Sequence, residues 1–156
     1  MNGYLMKELS LIRGEDNFIE SFSPENRYGV AFEDDGVTAY FYAVEKDPSG
    51  GDQRILDALH IYEADEEPEP AEKKGAKDKK DTKEKKTNEN KKSSKLMIVW
   101  SRDWLKCALV IDGYCHALFD FEGQGGYNIN EFPPPNSFWT KGERKLSEEK
   151  IRQFFP

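Results

Sequence analysis

Apolar and polar residues alternate, or apolar residues run in short blocks, along most of this chain, which is the spacing of strands. The densest block is KLMIVWSRDWLKCALVIDGYCHALFDFE, Lys95 to Glu122. Turn residues interrupt it twice, so it predicts three consecutive antiparallel strands, the last two closed by Asp112-Gly113. That two-residue loop sets Ile111 opposite Tyr114, Val110 opposite Cys115, Leu109 opposite His116 and Cys107 opposite Leu118. Both faces then read as apolar, with Ala108, Val110, Cys115, Ala117, Phe119 and Phe121 on one and Leu109, Ile111, Tyr114 and Leu118 on the other. Such a sheet must be covered twice. The C-terminal helix is expected on one side, and the N-terminal segment or the Pro-flanked aromatics on the other.

A second hairpin is predicted in RYGVAFEDDGVTAYFYAVE. Asp35-Gly36 as a type I′ loop pairs Phe32 with Ala39, Val30 with Phe41 and Tyr28 with Ala43 on a core-facing side. The opposite side pairs Glu33 with Thr38, Ala31 with Tyr40 and Gly29 with Tyr42, where an aromatic covers a bare glycine. Residues 4–12 fit helix and strand spacing equally, and Phe18 to Phe22 suits a short strand. In RILDALHIYEA, alternation puts Ile55, Leu59 and Ile61 on one face, whereas helix spacing selects Leu56, Leu59 and Tyr62. The β character of His60-Ile61-Tyr62 favours a strand. Pro133, Pro134 and Pro135 impose an extended run, with Phe132, Phe138 and Trp139 expected to clamp it. Near the end, Ser147 reads as an N-cap, Glu148 and Glu149 suit the first turn, and Leu146 with Ile151 forms a hydrophobic staple. The expected architecture is α+β and mostly β: an antiparallel meander sheet of about five to seven strands with a short C-terminal helix packed on one face, in a single domain over 1–156.

Charge changes the picture in one place. From Asp65 to Lys95 the chain has 11 Lys and 9 Asp or Glu, with no aromatic and no large aliphatic residue. A segment with so little to bury is expected to be a disordered surface insertion. It carries +2 of the net −7, so the remainder carries −9. A negative body repels phosphate backbones and attracts basic proteins, which excludes nucleic acid and points to a basic protein as partner. No apolar run approaches the roughly 18 residues of a membrane span, and the first residues lack the pattern of a signal peptide, so a cytoplasmic location without membrane contact is expected. The two cysteines, Cys107 and Cys115, face opposite sides of the sheet in the register above; a disulfide is excluded, in keeping with a reducing compartment.

Candidate chemistry is sparse. FEGQGGYN follows a strand as a phosphate loop would, but it lacks the Walker lysine and no helix opens behind it, so a flexible release from the sheet is the better reading. Cys107 and His116 lie diagonally on one face in that register, which makes them candidates for a thiol nucleophile and its base. The apolar residues around them favour instead a core cysteine beside a satisfied histidine. His60 and His116 are the only histidines, and neither stands in a metal-ligand spacing, so neither metal nor cofactor is expected.

The segments YGVAFEDDGVTAYFYAVE, RILDALHIYEA, and KLMIVWS through ALVIDGYCHALFDFE resemble a bacterial domain-of-unknown-function family of small acidic single-domain proteins. The resemblance spans about Tyr28 to Glu122 and rests on core and turn positions. It implies the fold and carries no site residues; the Lys/Glu insertion departs from the family's compact pattern. The expected function is a non-catalytic protein-binding domain, in character like an immunity-type inhibitor of a basic toxin. Its expected contacts are the hairpin tip Glu33, Asp34 and Asp35 with Tyr40 and Tyr42. A small thiol enzyme using Cys107 and His116, and a structural subunit without a discrete site, are the alternatives.

Overall fold

A computed structural model describes residues 1–65, 93–135 and 138–156. Among these residues the chain is mostly β and antiparallel: β1 (Tyr4–Leu11), β2 (Asn17–Phe22), β3 (Tyr28–Asp34), β4 (Thr38–Glu45), β5 (Arg54–Glu63), β6 (Ser94–Trp100), β7 (Lys106–Ile111), β8 (Tyr114–Asp120) and β9 (Gly125–Asn128), then one short helix, α1 (Glu148–Phe154). The larger sheet, ordered β1-β6-β7-β8-β9 with the helix on one face, has the expected size, and a second sheet is ordered β2-β3-β4-β5. The expected insertion joins the two sheets; its last residues, Ser94 and Lys95, already belong to β6, and 66–92 lie outside the described residues.

The two inner faces share one core, in which Val30, Phe32, Phe41 and Leu59 of the smaller sheet meet Ile98, Trp100, Leu109 and Phe119 of the larger. The second sheet therefore supplies the cover that was expected from the N-terminal segment or the Pro-flanked aromatics. Of those aromatics Trp139 joins this core, while Phe132 and Phe138 stay exposed. The opposite face of the larger sheet, through Val99, Ala108, Val110 and Leu118, packs against Ile151, Phe154 and Phe155. Here the helix stands as expected, with the Ser147 hydroxyl accepting from the Lys150 N–H at 3.0 Å and Leu146 packed with Ile151 in the same cluster.

Three registers differ from expectation, each for a local reason. In the β3–β4 hairpin Phe32 pairs with Phe41 and Val30 with Ala43, two residues from the expected register. The Asp35 N–H donates to the Thr38 carbonyl, so Gly36 and Val37 are the loop residues and Gly36, at φ +96°, takes the first central position that suits a type II′ turn. A shift of two keeps every side chain on its face. It does change partners: Gly29 lies opposite Val44, and the ring over it belongs to Phe22 of β2, its partner on the other side.

The β7–β8 hairpin begins as expected, with Val110 opposite Cys115, but Leu109 then pairs with Ala117 and Cys107 with Phe119. His116 is the extra residue of a β-bulge, and an odd insertion reverses the faces beyond it. Ala117, Phe119 and Phe121 thus join Cys107, Leu109 and Ile111 between the sheets, while Leu118 turns toward the helix.

Two bulges act likewise on β5, where Ile61 and Leu56 are left out of the pairing with β4. Each turns the strand by one residue, so Leu56, Leu59 and Tyr62 all enter the core. The helix-like spacing of these three residues is real, but it comes from a strand bulged twice.

The segment after β9 is fastened by a buried ion pair. Arg144 donates from two nitrogens to the Asp57 carboxylate at 2.8 and 2.9 Å, and also to the Gly126 and Pro133 carbonyls. Thr140 donates to the same carboxylate. This network ties β5, β9 and the proline run together. Among the described residues no helix is long and apolar enough to cross a membrane.

Candidate functional site

The outer face of the β2–β5 sheet carries the sequence-expected aromatics. Reading across the strands, one row is Phe18, Glu33, Tyr40 and His60, and the next is Glu20, Ala31, Tyr42 and Ala58. Alternation places these residues outward because Ile19, Phe32, Phe41 and Leu59 between them face the core. No described element lies over this face. Phe18 is 60% exposed, and Tyr40 and Tyr42, both partly buried, stack at 6.0 Å between ring centroids.

The acidic residues of the hairpin do not act alike. Glu33 and Asp35 are exposed, whereas Asp34 is fully buried. The Asp34 carboxylate accepts from the Tyr62 hydroxyl at 2.6 Å and from the Gly14 and Gly36 N–H groups at 2.9 Å each. Asp34 therefore holds the turn onto the core. Burial, followed by the hydrogen bond to Asp34, pushes the Tyr62 phenol far up. Asp35 accepts the Thr38 and Val37 N–H groups, which hold its carboxyl below the usual range. The Tyr42 phenol is pushed up by burial first and then by the negative charge of Glu33. The charge of Glu33 thus reaches Tyr42.

Sequence reading missed His60 as the corner of this face. Its ring meets Tyr40 edge-on at 5.3 Å and Phe132 at 5.9 Å. Asn130 uses its Oδ1 to accept from Asn128 Nδ2 and the Phe132 N–H. Its Nδ2 is left to donate to His60 Nδ1 at 2.8 Å, which assigns the remaining ring proton to Nε2, donated to Glu63 at 2.8 Å. Both imidazole nitrogens are engaged, so His60 orients Tyr40 and offers no free base. Glu63 is local, but Asn130, which fixes the ring's other nitrogen, stands 70 residues on in the chain, and no local pattern could have announced it.

Cys107 and His116 are not brought together in the expected diagonal. Cys107 is fully buried in the inter-sheet core, where burial pushes its thiol well up. His116 sits on the bulge, its Nδ1–H donating to the Tyr114 carbonyl at 2.9 Å. Cys115 packs on the opposite, helix-side face, its thiol pushed up to about 11 by burial. Both thiols are free. In FEGQGGYN the turn is closed by Asp120, whose carboxylate accepts from the Glu122 and Gly123 N–H groups, and Gly125 and Gly126 continue as β9. Among the described residues no group of three or more His, Cys, Asp or Glu side chains could hold a metal ion.

A concavity of about 610 Å³ lies between α1 and the β1 end of the larger sheet, with Leu5, Met97, Val99, Val110, Cys115 and Ile151 among its lining residues. Its wall is more apolar than polar, and Ser147, Glu148 and Arg152 also line it. The last two form a loose pair at 3.7 Å.

No solved structure matches this chain. An uncharacterized protein of Haemophilus influenzae strain Rd is 36% identical over 118 residues, which are 74% of this chain and 60% of that relative. The match thus spans about three fifths of the relative's length. Residues 11–155 match the bacterial family described as "Uncharacterized protein conserved in bacteria (DUF2251)", and the chain belongs to that family.

Proposed function

We propose that this chain is a non-catalytic protein-binding domain, that the outer face of its β2–β5 sheet is the contact surface, and that its partner is a basic protein. The observation that carries the reading is the uncovered pair Tyr40 and Tyr42, stacked beside Glu33 and Asp35. Tyrosine combines large contact area with little side-chain entropy to lose, and dominates the centres of many interfaces. Acidic neighbours and the net charge of −7 steer a basic partner toward that face and raise its association rate. In this reading the protein works in the cytoplasm, as an immunity-type inhibitor of a basic toxin would.

The test compares the wild-type chain with a Glu33→Lys, Tyr40→Ala, Tyr42→Ala variant as bait in extracts of a bacterium that encodes a member of this family. The expected result is one basic protein retained stoichiometrically by the wild type at low salt, weakened at physiological salt and lost from the variant. Absence of a stoichiometric partner at both salts, or retention unchanged by the variant, refutes the reading.

A further inference from the structure

The outer face of the larger sheet is only partly covered. The seven residues of α1 make about 10 Å of helix, whereas five strands span roughly 19 Å, and the concavity of about 610 Å³ is what remains open beside the helix. The chemistry of that face changes along its first two strands. A bulge at Met6 sets Leu5 and Glu8 on the same side of β1. Toward one end this side carries Glu8, Ser10 and Lys95, all exposed, with Lys95 on Glu8 at 3.1 Å, as a sheet facing water should. Toward the other end the same strands present Leu5, Met97 and Val99, and Val110 and Cys115 continue the apolar floor. Leu5, Tyr114 and Ile129, which line the concavity, are each more than half exposed.

The volume is that of a small-molecule site, roughly 300–1,000 Å³, and far fewer residues line it than the roughly 20–30 a side of a stable protein interface. Aliphatic and thioether side chains from β1, β6 and β7 and the thiol at the start of β8 form the floor, so the groove runs across the strands and suits a linear chain. The polar groups stand on the helix side. Among the described residues the Arg152 guanidinium has one partner, the loose pair with Glu148 at 3.7 Å, so its fork of N–H donors is free for a tighter one. The Ser147 oxygen accepts the Lys150 N–H, which leaves its hydroxyl proton to donate. Two donors beside an uncharged floor select an anionic head, and a carboxylate can take the guanidinium fork in two parallel hydrogen bonds. A quaternary ammonium can use neither donor.

From this geometry we propose that the groove beside α1 binds a free single-chain fatty acid, with the alkyl chain on the floor of Leu5, Met97, Val99, Val110 and Cys115 and the carboxylate at Arg152. The exposed Glu148 side chain gives up its loose hold on Arg152 and turns to water. The net charge of −7 opposes an anion at long range, but physiological salt screens that field beyond about 8 Å. Affinity comes from burial of the chain and from the local fork. The site lies on the opposite sheet from Tyr40 and Tyr42 and is independent of the protein-binding reading.

The test titrates the isotope-labelled full chain with sodium octanoate, decanoate and dodecanoate at pH 7.4 in physiological salt, read by amide chemical shifts in two-dimensional NMR. Saturable shifts centred on Leu5, Met97, Val110 and Ile151 are expected, with affinity rising roughly two- to fourfold per added methylene. Against octanoate, 1-octanol and octyltrimethylammonium should each bind at least about twofold more weakly. Arg152→Gln should weaken octanoate about two- to fivefold, the worth of an exposed charge pair, and leave 1-octanol unchanged. Arg54→Gln removes the same charge from the other sheet and should alter octanoate less than about 1.5-fold. Leu5→Glu puts a charge on the floor and should weaken every ligand at least about fivefold. The dispersion of the same spectra checks folding; where Leu5→Glu fails to fold, the chain-length series and Arg152→Gln decide. Lack of saturable binding, shifts centred elsewhere, affinity independent of chain length, an alcohol or ammonium that binds as well as the acid, or octanoate unmoved by Arg152→Gln each overturn the inference.

Discussion

Replacing Arg144 by alanine should be among the most damaging single substitutions in this chain. The guanidinium is 2% exposed and the Asp57 carboxylate 7%, so neither charge can turn to water. Removing the arginine leaves Asp57 with hydrogen bonds from Thr140 and the Ala58 N–H but no compensating charge, and strands the Gly126 and Pro133 carbonyls that Arg144 satisfied. Breaking a buried pair from one side costs about 3–5 kcal/mol. For a chain of this length each kcal/mol is worth roughly 2–4 °C in melting temperature, so the expected loss is on the order of 6–20 °C. Urea titration at pH 7 with a calorimetric melt measures both quantities. Arg144→Met combined with Asp57→Leu removes both charges together and should recover most of the loss, because a packed apolar pair avoids the desolvation that the ion pair bears. A loss below about 1 kcal/mol for Arg144→Ala would refute the claim that this pair fastens the C-terminal segment. A double variant no better than the single one would place the cost in the two stranded carbonyls and not in the uncompensated carboxylate. The consequence reaches the candidate site, since Arg144 holds the Pro133 carbonyl while the His60 N–H donates to the Phe132 carbonyl beside it. Loosening that strap removes support from His60 and, through it, from Tyr40.

Two further predictions concern residues that carry no part of the binding face. Neither cysteine should react with iodoacetamide in the native protein at pH 7.4, because Cys107 is sealed in the core and a thiol with a pKa of about 11, as Cys115 has, is thiolate in roughly one molecule in 4,000. Intact-mass spectrometry reads this directly, and stoichiometric labelling of Cys107 without unfolding would revive the thiol-enzyme alternative. His116 is held below the ordinary imidazole value, chiefly because burial disfavours its charged form. Between that depressed value and about 6.5 the unfolded chain binds more protons than the folded one, so stability rises with pH through this window and falls on acidification. A His116→Gln variant should therefore lose less urea resistance than the wild type between pH 7 and pH 5.5, and equal losses would show that His116 does not contribute.

What the sequence made legible follows from what is local. Alternation, the Asp112-Gly113 turn and the Ser147 cap are properties of a few neighbouring residues, and each is found where expected. Tyr40 and Tyr42 could be placed on an outward face for the same reason, since Phe41 between them has to be buried. The departures arise where one residue changes parity. At His116 a bulge reverses every later side chain of β8, which separates Cys107 from the histidine it was expected to approach. In β5 two such bulges turn a strand's period of two into a burial period of three, so that Leu56, Leu59 and Tyr62 imitate a helix in the sequence while forming the inner face of a sheet. A bulge has no strong composition of its own, and only the demand of a second sheet for those three side chains decides where it falls. Asp34 shows the same dependence on distant structure. It reads as one of three equivalent acids at a hairpin tip, and only the Tyr62 hydroxyl, 28 residues on, and the Gly14 N–H, 20 residues back, convert it from a surface charge into an anchor.

The same logic explains why the surroundings of the two tyrosines could not be read from the chain, although the tyrosines and Glu33 could. Ala31 looks like any small residue in a strand, and Glu20 belongs to a segment whose pairing partner the sequence leaves open. Their juxtaposition needs the β2–β3 register that sets Glu20 opposite Ala31, and the β3–β4 register, two residues from the one the turn suggests, that sets Ala31 opposite Tyr42 rather than Tyr40. In the expected register Tyr40 would stand beside Ala31 and Glu33 beside Thr38, leaving that carboxylate without an aromatic neighbour directly across the hairpin. The observed shift keeps both tyrosines outward and slides them until Glu33 lies directly across from Tyr40. Acidic charge and aromatic content are shared by many soluble proteins; the register of one hairpin turns them here into a surface with a shape.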